Sequence, residues 1–159
     1  MQDPAARRDS ILGKWLERTV ATYPPQTSGF LRNEKDRFRN PVGHTLQEGL
    51  AALLDQITGE MDTVRIREAL GEIVRVRAVQ DFTPGQATGF VFLLREILGE
   101  ELPGGVPTAW QKRIDETALL AFELFVKCRE EITEIKAREA QRSFYVRDRM
   151  RQRERGEGT

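Results

Sequence analysis

The sequence predicts an all-α domain of about five helices, the last of them long enough to leave the body of the protein. Three observations carry this. Apolar residues recur every three or four positions along most of the chain. Each recurring stretch begins or ends at a proline, a glycine or a capping side chain. No segment keeps the strict apolar–polar alternation of a half-buried strand.

The first helix follows Asp9 and runs to about Tyr23, with Leu12, Trp15, Leu16, Thr19 and Tyr23 at helical spacing, and Pro24-Pro25 stops it. The polar stretch beyond carries Phe30, Leu31 and Phe38. It is long for a structureless loop, so it is expected to hide a helical turn or to pack its aromatics on the body. Asn40-Pro41 reads as an N-cap followed by proline at the first helical position. It opens a second helix with the stripe Val42, Leu46, Leu50, Leu53 and Ile57, closed by Gly59.

Asp62 caps the third helix, which runs to about Asp81. Thr83-Pro84-Gly85-Gln86 is a capping box and opens the fourth helix, from Pro84 to about Glu100. That helix is apolar nearly all round, so it is expected to be buried on every side or to pair with a second chain. Gly85 and Gly89, one turn apart, would leave a flat strip for a neighbouring backbone. Thr108-Ala109-Trp110-Gln111 reads as another capping box at the start of the last helix. No breaker follows before Gly156, which allows a rod of about 70 Å.

Within that last helix Ile114, Ala118, Ala121, Phe125, Cys128, Ile132 and Ile135 follow heptad spacing and read as a dimer seam, parallel or antiparallel. After Ile135 the seam fails. The expected division is a helical interaction domain over 1–135 and a basic helical or partly disordered tail over 136–159. Residues 115–134 carry six carboxylates against two cations, whereas 136–155 carry eight cations against three carboxylates. The tail is expected to be solvated or to pair with an acidic partner helix rather than to hold nucleic acid, because the whole chain has a formal net charge of zero.

Chemistry is scarce. One cysteine, Cys128, rules out an internal disulfide and fits a reducing, cytoplasmic setting. No apolar run approaches the ~20 residues of a membrane span, and the N-terminus lacks the apolar region of a secretory signal. The single histidine, His44, falls about 160° from Leu46 on the helical wheel, away from the buried stripe, so no haem or metal role is expected of it. No nucleophile–base pair or metal set stands out, and neither an enzyme nor a bound cofactor is expected.

One place breaks the helical pattern. The buried stripe of the third helix is set by Ile66, Leu70 and Ile73. Arg77 falls about 20° from Ile66 on the wheel and Gln80 about 40° to the other side. A guanidinium inside a core must find partners there. Asp81, one turn on, could pair with Arg77, and the 30–40 loop supplies Arg37 and Asn40 as further polar candidates. Two readings stay open: a buried network that fixes the helix end, or a site for a small anionic or amide ligand or a partner protein.

The strings Lys35-Asp36-Arg37-Phe38-Arg39-Asn40-Pro41-Val42-Gly43 and Ile73-Val74-Arg75-Val76-Arg77-Ala78-Val79-Gln80-Asp81-Phe82-Thr83-Pro84-Gly85-Gln86-Ala87 resemble the N-terminal domain of RsbRD-type stressosome proteins. The resemblance spans about residues 9–130, including Trp15 and the run Phe90–Glu96. It implies a globin-like bundle without haem that dimerises and passes a signal along its C-terminal helix. In that group the helix leads to a phosphorylation-regulated STAS domain, for which 159 residues leave no room. The resemblance therefore implies a stand-alone signalling or scaffold module, with other signalling proteins as partners. Domains of this type also occur beside bacterial respiratory redox complexes, so an accessory or assembly subunit of such a complex is the alternative.

Overall fold

The structure is a computed structural model and describes residues 4–158. Seven helices are present in this order: α1 (Pro4–Val20), α2 (Pro25–Asn33), α3 (Pro41–Thr58), α4 (Thr63–Val79), α5 (Pro84–Thr88), α6 (Phe90–Glu101) and α7 (Thr108–Gly156). No strand occurs among the described residues. The chain is an all-α, globin-like bundle with a long C-terminal helix, as the sequence predicts.

Local chemistry sets most of the boundaries. Asn40 caps α3 by accepting from the Gly43 N–H, with Pro41 at the first helical position. Its amide also donates to the Leu31 and Glu34 carbonyls, which ties the end of α2 to the start of α3. The Asp62 carboxylate accepts from Val64 and Arg65 at the start of α4. Thr83 and Gln86 form the reciprocal capping box of α5. Pro24-Pro25 ends one helix and begins the next, because proline at the first position forfeits no intrahelical bond.

Three expectations need correction. The predicted fourth helix is two, α5 and α6, broken at Gly89, where the Phe92 N–H bonds back to the Gly89 carbonyl in a tighter turn. The flat glycine strip receives no neighbouring backbone: nothing lies within 4 Å of a Cβ placed on Gly85, and one placed on Gly89 would meet only the Gly85 peptide. The Thr108 box does not form, because helix geometry begins at Thr108 itself and Pro107 is the cap; Gln111 instead donates to the Val106 carbonyl. The stretch after Pro24 holds a helix, the first of the two arrangements expected for it, with Leu31 buried and Phe30 and Phe38 exposed.

The core lies where α4 packs against α3 and α7, with α1 and α6 closing the other side. Trp15, Leu46, Leu50, Leu53, Ile57, Ile66, Leu70, Phe90, Leu94 and Ile114 are all essentially inaccessible to solvent. The Trp15 indole N–H donates to the Phe90 carbonyl at 2.8 Å, which satisfies a buried donor and ties α1 to α6. At the α3–α4 crossing, a Cβ on Gly49 would sit 2.8 Å from Ile73 Cδ1, so glycine permits that close approach. Surface ion pairs join the helices outside the core: Lys14 to Glu101, Arg18 to Glu100, Arg8 to Asp55 and Arg95 to Asp115.

Candidate functional site

Arg77 is the largest charged side chain in the core and is wholly buried. Three aromatic rings enclose its guanidinium, with centroids at 5.1 Å for Tyr23, 4.9 Å for Phe82 and 5.0 Å for Phe90. It donates from Nη1 to the Gln86 carbonyl at 2.9 Å and from Nη2 to the Thr22 hydroxyl at 3.1 Å. Both acceptors are neutral. The elements responsible are the last turn of α4, the α1–α2 corner and the segment that leads into α5.

Beside it opens a cavity of about 360 Å³, lined by Thr22, Tyr23, Pro24, Thr27, Gln80, Asp81, Phe82 and Gln86. Four of these residues touch the guanidinium, which stands one layer behind the wall. Tyr23 is 95% buried by its 5% residual exposure, and its ring meets Phe82 edge-on at 5.3 Å. The Tyr23 hydroxyl and Arg77 Nε are buried, face each other's side chains, and meet no hydrogen-bond partner of good geometry among the described residues. Burial lowers the guanidinium pKa, an effect offset in part by attraction to Tyr23. Burial raises the Tyr23 phenol in turn, and the nearby positive charge draws it part of the way back.

Of the five polar residues singled out by sequence, Arg77, Gln80 and Asp81 gather at this cavity, and Arg37 and Asn40 do not. Arg77 is inside as its wheel position requires. Gln80 is exposed, because α4 ends at Val79 and the wheel has no meaning past the last helical residue; Gln80 is the C-cap and turns to the cavity rim. Asp81 is exposed at φ 40°, lines the same rim, and makes no ion pair with Arg77. Asn40 is buried but acts at the α2–α3 joint, and Arg37 is exposed and 3.9 Å from Glu48; neither lines the cavity. The aromatic box of Tyr23, Phe82 and Phe90 comes from three distant segments, and no spacing within the sequence announces it.

The seam residues also divide. Ile114, Ala118, Ala121 and Phe125 are buried within the chain itself, where α7 meets α4, so they are not free to form a dimer seam. Cys128 and Ile132 are half-buried against the same core, and only Ile135 is open. The face left uncovered is a different one. Leu119, Phe122, Val126 and Phe144 are 67%, 49%, 36% and 68% exposed. With exposed Ala137 and Ala140 they fall within about 60° on the helical wheel. His44, for its part, lies in the first turn of α3, outside the core, with Nε2 3.2 Å from the Lys35 carbonyl.

One enclosed cation in its core and apolar residues left open on its longest helix mark this all-α, globin-like domain. Residues 9–140 match the family described as the RsbT co-antagonist protein rsbRD N-terminal domain, and the chain belongs to that family of stressosome-type signalling domains. No curated protein and no solved structure matches it significantly. No helix among the described residues is long and apolar enough to cross a membrane.

Proposed function

We propose that the protein is a non-catalytic signalling or scaffold module of the RsbR N-terminal type, which acts as a cytoplasmic homodimer through the outward stripe of α7. The observation that carries this is the stripe itself. Leu119, Phe122 and Val126, and further along Ala137, Ala140 and Phe144, form two apolar patches on one side of one helix, separated by Glu130 and Thr133, and no other helix among the described residues covers them. Charge favours the antiparallel arrangement. The acidic residues of 115–134 then face the basic residues of 136–155 of a second copy, whereas a parallel pair sets eight cations beside eight cations.

In that arrangement each tail lies across the partner's body, and Val126 meets Phe144 across the twofold axis. Phe122→Glu is expected to shift the mass in light scattering from dimer to monomer, while the circular dichroism and melting of the domain stay close to those of the parent. Orientation is read with Cys128→Ser protein carrying either Val126→Cys or Phe144→Cys. The antiparallel pair cross-links only when the two variants are mixed. Efficient self-cross-linking of each variant alone would establish a parallel pair instead, and a dimer unaffected by Phe122→Glu would place the interface elsewhere.

A further inference from the structure

We propose that the cavity beside Arg77 binds a small monocarboxylic acid with an apolar body. Behind its wall stands a full positive charge, and no carboxylate among the described residues lies within ion-pairing distance of it. Water is excluded from the three-ring box, so the field of the guanidinium reaches the cavity through side chains that screen it weakly. An anion is the natural occupant of the space in front of an unneutralised buried cation.

The wall supplies the donors that a single carboxylate needs. Tyr23 lines the cavity, and its buried hydroxyl donates its proton to no acceptor among the described residues. The Gln80 amide sits on the rim and makes no bond elsewhere, and the Gln86 amide uses only its oxygen, to accept from the Thr83 N–H. The rest of the lining includes Pro24 and the ring of Phe82, surfaces that suit an apolar body. The volume, about 360 Å³, falls in the range of small-molecule pockets.

Asp81 selects against other anions. Its carboxylate stands on the same rim and repels a dianion such as phosphate more strongly than a monoanion. It also holds down the affinity for a monocarboxylate, so the site is expected to respond to abundant acids rather than trace ones. This inference deepens the signalling reading by naming the class of molecule such a module would sense. Its test reads binding alone, so a failure here leaves the proposed dimer standing.

The experiment is a nuclear magnetic resonance titration of the isotope-labelled full chain with benzoate, acetate and the neutral isostere benzamide. Benzoate is expected to give saturable shifts at Thr22, Tyr23 and the 80–86 segment, with benzamide weaker by about ten-fold or more. Asp81→Asn should tighten benzoate binding several-fold, and Gln80→Glu should abolish it. Both positions are exposed, so the fold survives each change, and unshifted resonances elsewhere verify this. Equal binding of benzoate and benzamide, shifts that never saturate, or a Gln80→Glu variant that binds like the parent would each overturn the proposal.

Discussion

Arg77 lies wholly inside the bundle, whereas Phe122 of α7 stands half in water. The two residues invert the usual sorting of charge outwards and apolar surface inwards, and they do so by different physics. Arg77 replaces most of its lost hydration with three ring faces and two neutral acceptors, while its Nε keeps no partner and its charge stays unneutralised. Phe122 has no such enclosure. Nothing among the described residues covers it, and it is the residue on which the proposed interface turns. The proposed ligand site and the proposed interface thus rest on opposite observations, a buried charge whose surroundings are built and an exposed ring whose surroundings are not.

The sharpest way to strain this comparison is to treat neighbours on α7 alike. Phe125 and Phe122 are one turn apart, yet only Phe125 is in the core. Phe125→Glu buries an unpaired charge and should cost about 4 kcal/mol or more, enough to unfold a domain of ordinary stability. Phe122→Glu should change stability by no more than about 0.5 kcal/mol. Urea melts of the two variants read the difference, and similar midpoints would show that both faces of α7 are exposed in the free chain.

A smaller effect is expected at the inverted charge. Arg77→Met keeps an unbranched, polarizable side chain among the rings and abolishes the desolvation cost, while it forfeits two hydrogen bonds and the cation–π contacts. These terms oppose each other, so the midpoint should move by about 1 kcal/mol or less in either direction. A loss above about 3 kcal/mol would make the guanidinium a structural keystone and blur the contrast with Phe122.

The smallest effect concerns pH. Burial raises the Tyr23 pKa, so the folded chain keeps the phenol proton where the unfolded chain releases it. The folded state therefore holds this stabilisation in full below about pH 10, the ordinary tyrosine value, and loses it as pH climbs through the raised value. Tyr23→Phe should flatten the alkaline limb of the stability profile and leave it unchanged at neutral pH, as thermal melts across pH 8 to about 11 would record. An unaltered alkaline limb would show that Tyr23 is solvated.

The parts of this structure legible in sequence are those decided within one helical turn. The caps at Asn40, Asp62 and Thr83 are local contests for backbone N–H groups, and each was readable from three or four residues. The inward position of Arg77 was readable too, since a wheel needs only regular geometry. Gln80 was misplaced because that geometry stops at Val79. The seam from Ile114 to Phe125 was correctly seen as apolar and assigned to the wrong partner, because periodicity locates a buried face without saying which helix covers it. Here α4 of the same chain does. That left the outer stripe unread, as a helix apolar on two faces yields no single moment.

Phe82 bears two loads. Its ring rests on Arg77, and its carbonyl accepts from Arg129 Nη2 on α7 at 2.7 Å, while the Arg129 guanidinium lies over the Phe125 ring. Beyond Ile132 every residue as far as Arg155 is exposed, a lever of roughly 35 Å at 1.5 Å per residue. A tilt of about 3° at that fulcrum displaces the far end by about 2 Å, larger than the shift at Phe82 that would produce it. The short segment between α4 and α5 and the exposed arm of α7 therefore share one joint, at the Phe82 carbonyl.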